Sequence, residues 1–130
     1  MPIQRLHAGA RFDIYAWGDE HHCETLEFLE QLEEDSNSDV NRLLYLIKRT
    51  AESGAPHNEH QSRLLGDGIF EFKAPNTARV LWFYDANRII ICTHGFSGKS
   101  GKGKTPRREI ERAKQIRQKY LEEKTNASRK

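Results

Sequence analysis

Little in this chain marks it as secreted, membrane-bound or metal-organised. Its two cysteines, Cys23 and Cys92, stand far apart, and neither belongs to a CxxC pair. That spacing excludes a disulfide framework and a cysteine-ligated zinc site, leaving two reduced, buried thiols as the expectation. No apolar run approaches the roughly 18 residues a membrane span needs, and the first residues lack a charged-then-apolar leader, so the expected location is the cytoplasm, with no membrane partner. No cofactor or metal site is expected. Mean hydropathy is only −0.83, yet the apolar residues are clustered. Val80-Leu81-Trp82-Phe83-Tyr84 and Ile89-Ile90-Ile91 are dense enough to nucleate a packed interior. At 130 residues the chain predicts a single domain with an ordered core over about residues 10–121 and a flexible carboxyl-terminal tail.

The formal net charge of +2 conceals an asymmetry. Residues 1–62 hold 5 basic and 12 acidic side chains, whereas residues 63–130 hold 16 basic and 7 acidic ones. Cations concentrated in one half favour a polyanionic partner, because binding a phosphate backbone releases condensed counterions. The alternative is an ordinary solvated surface.

Local patterns predict the elements. Residues Arg11 to Trp17 alternate as a strand, with Phe12, Ile14 and Ala16 facing one way. Cys23, Leu26, Leu29 and Leu32 recur between acidic neighbours, giving an amphipathic helix over about Glu20 to Glu34. The run Asp35-Ser36-Asn37-Ser38 breaks that helix and caps a second one, carried by Val40, Leu43, Leu44, Ile47 and Ala51 to near Gly54. Residues 55–68 read as a polar connection closing on Gly66-Asp67-Gly68. Three strands then follow at hairpin spacing, Ile69 to Lys73, Ala78 to Tyr84 and Arg88 to Gly95. The lysine- and glycine-rich run Ser97 to Lys104 is too polar to pack and predicts a flexible basic arm. Thr105 as N-cap and Pro106 at the first helical position open a basic helix with a weak stripe of Ile110, Ala113, Arg117 and Tyr120. The predicted class is α+β in the order β-α-α-β-β-β-α, an antiparallel sheet of about four strands with an amino-terminal helical hairpin on one face.

The strings GDGIFEF, ARVLWFYD, IICTHGF and GKTPRREIERAK, in this order and spacing behind two acidic helices, resemble the phage-derived, HigB-like branch of the RelE/HigB/ParE toxin superfamily. The resemblance covers about residues 63–121. It implies a RelE-like fold and the toxin of a type II toxin–antitoxin system. The activity implied is a metal-independent, ribosome-dependent mRNA endonuclease that inhibits translation. It further implies as partners mRNA, the ribosome and a cognate antitoxin, often of helix-turn-helix type and encoded by the adjacent gene. Fold alone does not settle activity, since relatives on this scaffold act on gyrase and cut no RNA. A non-catalytic toxin or binding module, or an inactive phage remnant, therefore stands beside the nuclease reading.

Cleaving RNA without a metal requires a deprotonated 2′-hydroxyl, a stabilised pentavalent phosphate and a protonated leaving oxygen. By the resemblance, the positions that match such groups are Lys73, Arg79 and the loop lysines. Arg79 heads a strand, from which its planar fork can hold a phosphate with paired donors; the alternative is a cross-strand pair with Glu71. Glu71 departs from the family, where another base is frequent, and would either weaken phosphate binding or act as a general base. The family's carboxyl-terminal catalytic tyrosine has no clean counterpart, because Tyr120 fits a packing role. His94 closes a strand beside the basic arm and is the candidate acid, with a structural histidine as the alternative. Lys99, Lys102, Lys104, Arg107 and Arg108 form a cationic arm for the RNA backbone, and Arg63 is a further contact or a solvated residue. His7, His21, His22, His57 and His60 are given no role. GKSGKGKT superficially resembles a phosphate-binding P-loop, but it follows a meander rather than a parallel strand, so no nucleoside triphosphate site is expected.

Overall fold

The computed structural model describes residues 2–98 and 104–128. Among these residues six strands and three helices follow one another: β1 Ile3–Ala8, β2 Asp13–Trp17, α1 Glu24–Glu34, α2 Asp39–Ser53, β3 Ser62–Gly66, β4 Ile69–Lys73, β5 Ala78–Asp85, β6 Ile89–Ser97 and α3 Arg107–Ser128. The strands form one mixed sheet in the order β1-β2-β6-β5-β4-β3. The predicted α+β class holds, and so do the helical hairpin and the three-stranded meander.

The sheet departs from the expected four antiparallel strands in number and direction. β1 and β3 are additional, and β2 pairs with β6 in parallel while every other pair is antiparallel. Both extra strands are edges. Edge strands bury little, and neither IQRLHA nor SRLLG contains a fully buried apolar residue, so neither shows the apolar alternation that marks a half-buried strand. The order therefore begins β-β-α-α and ends in four strands and a helix. Order also begins before residue 10, at β1, and α3 continues past Glu123 to Ser128.

Each strand sends alternate residues to opposite faces. Val80, Trp82, Phe72, Ile90 and Cys92 face α1 and α2 and pack on Leu29, Leu32, Leu43, Leu46 and Ile47. Ile69, Leu81, Phe83 and Ile91 face the other way, onto Ala113 and Tyr120 of α3. The sheet is thus sandwiched between the hairpin and α3. Tyr120 is buried against Trp17 and Phe83, and its hydroxyl donates to Asp85, a packing role.

Two local devices set the geometry of the sheet end that matters below. Asp39, at the start of α2, is buried, and its carboxylate accepts from the backbone N–H groups of Asn76, Thr77 and Ala78 and from the Asn76 amide. It ties the helix to the β4–β5 turn. The other device is a β-bulge in β6, where Trp82 opposes Cys92 but Leu81 opposes His94. Strict alternation would put His94 on the hairpin face with Ile90 and Cys92; the extra residue turns it to the α3 face. Gly95 then faces the hairpin, where a Cβ would stand 2.1 Å from a Phe28 ring carbon.

Candidate functional site

The α3 face of β3, β4 and β5 carries an ionic cluster beside the start of α3. Arg63 lies opposite Glu71, and Lys73 lies opposite Arg79. Glu71 is wholly buried. The Arg63 Nε and Nη2 atoms lie 3.0 and 2.8 Å from its Oε2, and the Arg79 Nε lies 3.8 Å from its Oε1. The Thr105 hydroxyl donates to the same Oε1. That hydroxyl, expected to cap α3, is committed to the cluster instead.

Arg79 is 3% exposed, and its Nη1 donates to the carbonyls of Ala74 and Ala78. Of the two alternatives for this residue the cross-strand pair with Glu71 is present, and Arg79 also lines a cavity. The face is not fully open, because α3 covers part of it. Lys73 is half-buried; its pKa is lowered by burial and then by repulsion from Arg63 and Arg79. Arg63 and Arg79 therefore share one buried carboxylate, with Lys73 beside them as a third cation.

A cavity of about 390 Å³ opens beside the cluster. Arg79, Phe96, Lys104, Thr105, Arg108 and Glu109 are among its walls. Of the residues expected to act, Arg79, Lys104 and Arg108 meet here. Arg63 and Lys73 stand behind Arg79 in the cluster, and Glu71 is enclosed by its partners rather than presented to the cavity. Arg107 is exposed and 3.9 Å from Glu111 of its own helix. Lys99 and Lys102 lie outside the described residues.

His94 shares the face but not the cavity. It is wholly buried, its Nδ1 lies 3.1 Å from the Thr93 hydroxyl, and its Nε2 lies 3.1 Å from Glu109 Oε1. Burial lowers its pKa, against the opposing pull of Glu109. Glu109 both contacts this imidazole and lines the cavity, linking the two.

Sequence reasoning missed Glu109 and Phe96. An acidic residue in the first turn of a helix is explained by the helix dipole alone, and Phe96 reads as an ordinary strand aromatic. Nothing local pairs Glu109 with a histidine 15 residues earlier.

Cys92 and Cys23 are free and buried, and burial pushes the Cys92 thiol up. Among the described residues, no three His, Cys, Asp or Glu side chains gather as a metal cage, and no helix is long and apolar enough to cross a membrane.

Comparison with known proteins gives one family match. Residues 27–118 match the model of the family described as Phage derived protein Gp49-like (DUF891). No curated protein matches the chain.

Proposed function

The chain belongs to the Gp49-like family of phage-derived proteins, and from that premise we propose that it is the toxin of a toxin–antitoxin pair, acting as a metal-independent, ribosome-dependent mRNA endonuclease. The family is associated with toxins of toxin–antitoxin pairs. One observation carries the reading: Arg63 and Arg79 both pair with the buried Glu71, Lys73 lies opposite Arg79, and this cluster adjoins a cavity that also presents Lys104 and Arg108. A phosphodiester in this cavity meets Lys104 and Arg108 beside an Arg79 guanidinium whose orientation is fixed by Glu71 and two carbonyls.

In this reading Arg79, with Lys104 and Arg108, stabilises the pentavalent phosphate. Glu109 takes the 2′-hydroxyl proton or returns one to the leaving oxygen, and His94 stands behind it as the positioning partner. Phe96 is placed to stack on a base. Lys99, Lys102 and Arg107 add backbone attraction from the arm. A cognate antitoxin from the adjacent gene, of helix-turn-helix type, covers the cationic cavity.

The test is induced expression with and without the neighbouring gene, followed by mapping of mRNA ends. Growth arrest with transcripts cut inside reading frames is expected, relieved by the neighbour and lost in Arg79→Ala. Arrest with intact mRNA ends would overturn the nuclease assignment. It would favour the second reading, a toxin that binds another target such as gyrase, for which the full burial of His94 is the specific support.

A further inference from the structure

The cavity beside Arg79 does not end at α3. A second hollow, walled by Arg63, Leu64, Leu65 and Ile110, shares Lys104 and Thr105 with it. A third, of about 350 Å³, shares Arg63 and Leu64 with the second. This last one lies round the β3 edge, on the hairpin face of the sheet, where Phe12 and Phe70 pack against the other core. The three hollows adjoin one another through these shared residues on either side of an edge strand, and Leu64 between them is 56% exposed.

The far end of the path is aromatic and cationic. Phe12, Phe70 and Tyr84 wall it, with Arg11 and His57 at its margin. Tyr84 is half-exposed, 5.5 Å from the Phe12 ring and 5.2 Å from that of Phe70. Phe70 is in turn stacked 4.6 Å from the buried Trp82, which stacks on Phe72 at 4.9 Å. The platform is therefore well packed, and Tyr84 at its top is 43% exposed. Arg11 is exposed and gives an N–H to the Ser53 carbonyl, which holds its charge at this end.

Resting on the nuclease reading above, we propose that this path is a track for single-stranded RNA: nucleotides flanking the scissile phosphate pass over the β3 edge and one base stacks on Tyr84. Arg79, Lys104, Arg63 and Arg11 follow one another along the path, as a phosphate backbone requires, and the path ends on a π-face of the kind any unpaired base can cover. A duplex does not fit this pattern, since its bases are already stacked and it cannot fold round a strand edge. A peptide without a run of acidic residues would leave the row of cations without matching charge.

The test uses the full-length protein and fluorescently labelled, uncleavable 2′-O-methyl oligoribonucleotides, one of three nucleotides and one of about twelve. The longer strand should bind more tightly, and Tyr84→Ser and Arg11→Ala should each weaken it about tenfold while leaving the trinucleotide unchanged. Tyr84→Trp should retain full affinity, which a merely unfolded variant could not do. If Tyr84→Ser binds both strands as the parent does while Arg79→Ala weakens both, the track is wrong and the cavity reading survives. If Arg79→Ala changes neither, the cavity reading falls too. If Tyr84→Ser spares RNA but releases the neighbouring gene's product, the aromatic end belongs to a protein partner and the proposal is overturned.

Discussion

His94 Nε2 and Glu109 Oε1 lie 3.1 Å apart, joining the last strand of the sheet to the first turn of the last helix across the floor of the candidate site. The histidine is buried and the carboxylate lines the cavity. The pair therefore has an inside and an outside, and the inside member is held below its ordinary pKa by burial.

This sets a pH dependence of stability. Because the folded pKa of His94 is lowered, the unfolded chain takes the proton first as the solution is acidified. The contribution is fully present above the ordinary value of about 6.5 and is lost as pH falls from there through the lowered folded value. Glu109, Glu24 and Arg112 are the charges that face the imidazole. Thermal melting between about pH 5 and pH 8 should show the parent losing stability below pH 6.5 more steeply than His94→Gln. Parallel curves would remove His94 as the cause.

Glu71 is the counter-ion of a buried arginine, so its removal should be costly. Glu71→Ala leaves Arg79, itself 3% exposed, without its carboxylate. Breaking a buried pair from one side costs about 3–5 kcal/mol, and the part-exposed Arg63 can relax into water, so the low end is expected. Urea unfolding measures this directly. A loss below about 1 kcal/mol would mean that Arg79 finds an equivalent partner.

Gly95 is required by Phe28 rather than by its backbone angles. A methyl group at residue 95 would meet the Phe28 ring at 2.1 Å. Gly95→Ala should destabilise by about 1–3 kcal/mol through overpacking. In the Phe28→Ala background the same change should cost much less, and a double-mutant cycle by chemical denaturation reads the coupling. Additive effects would show that the clash is relieved by movement of α1.

The sequence by itself determined the elements whose patterns are local. The stripe of α1 and α2, the turn at Gly66-Asp67-Gly68 and the apolar runs of β5 and β6 are written in consecutive residues, because burial on one face imposes a fixed period. Charge alone also singled out Lys104 and Arg108 as cations near a helix start, and the family resemblance singled out Arg79, but that these three meet at one cavity is a tertiary fact.

What only the tertiary structure decided is whatever rests on distant partners. β1 and β3 exist because neighbours pair with them, and the parallel pairing of β2 with β6 spans the whole helical hairpin. The bulge opposite Leu81 and Trp82 turned His94 from one face to the other, a one-residue slip in period that no apolar pattern records. Glu71 became an enclosed counter-ion, and Glu109 became the residue that faces the cavity, for the same reason. Charge and periodicity are properties of the chain, whereas burial and pairing are properties of what folds against it.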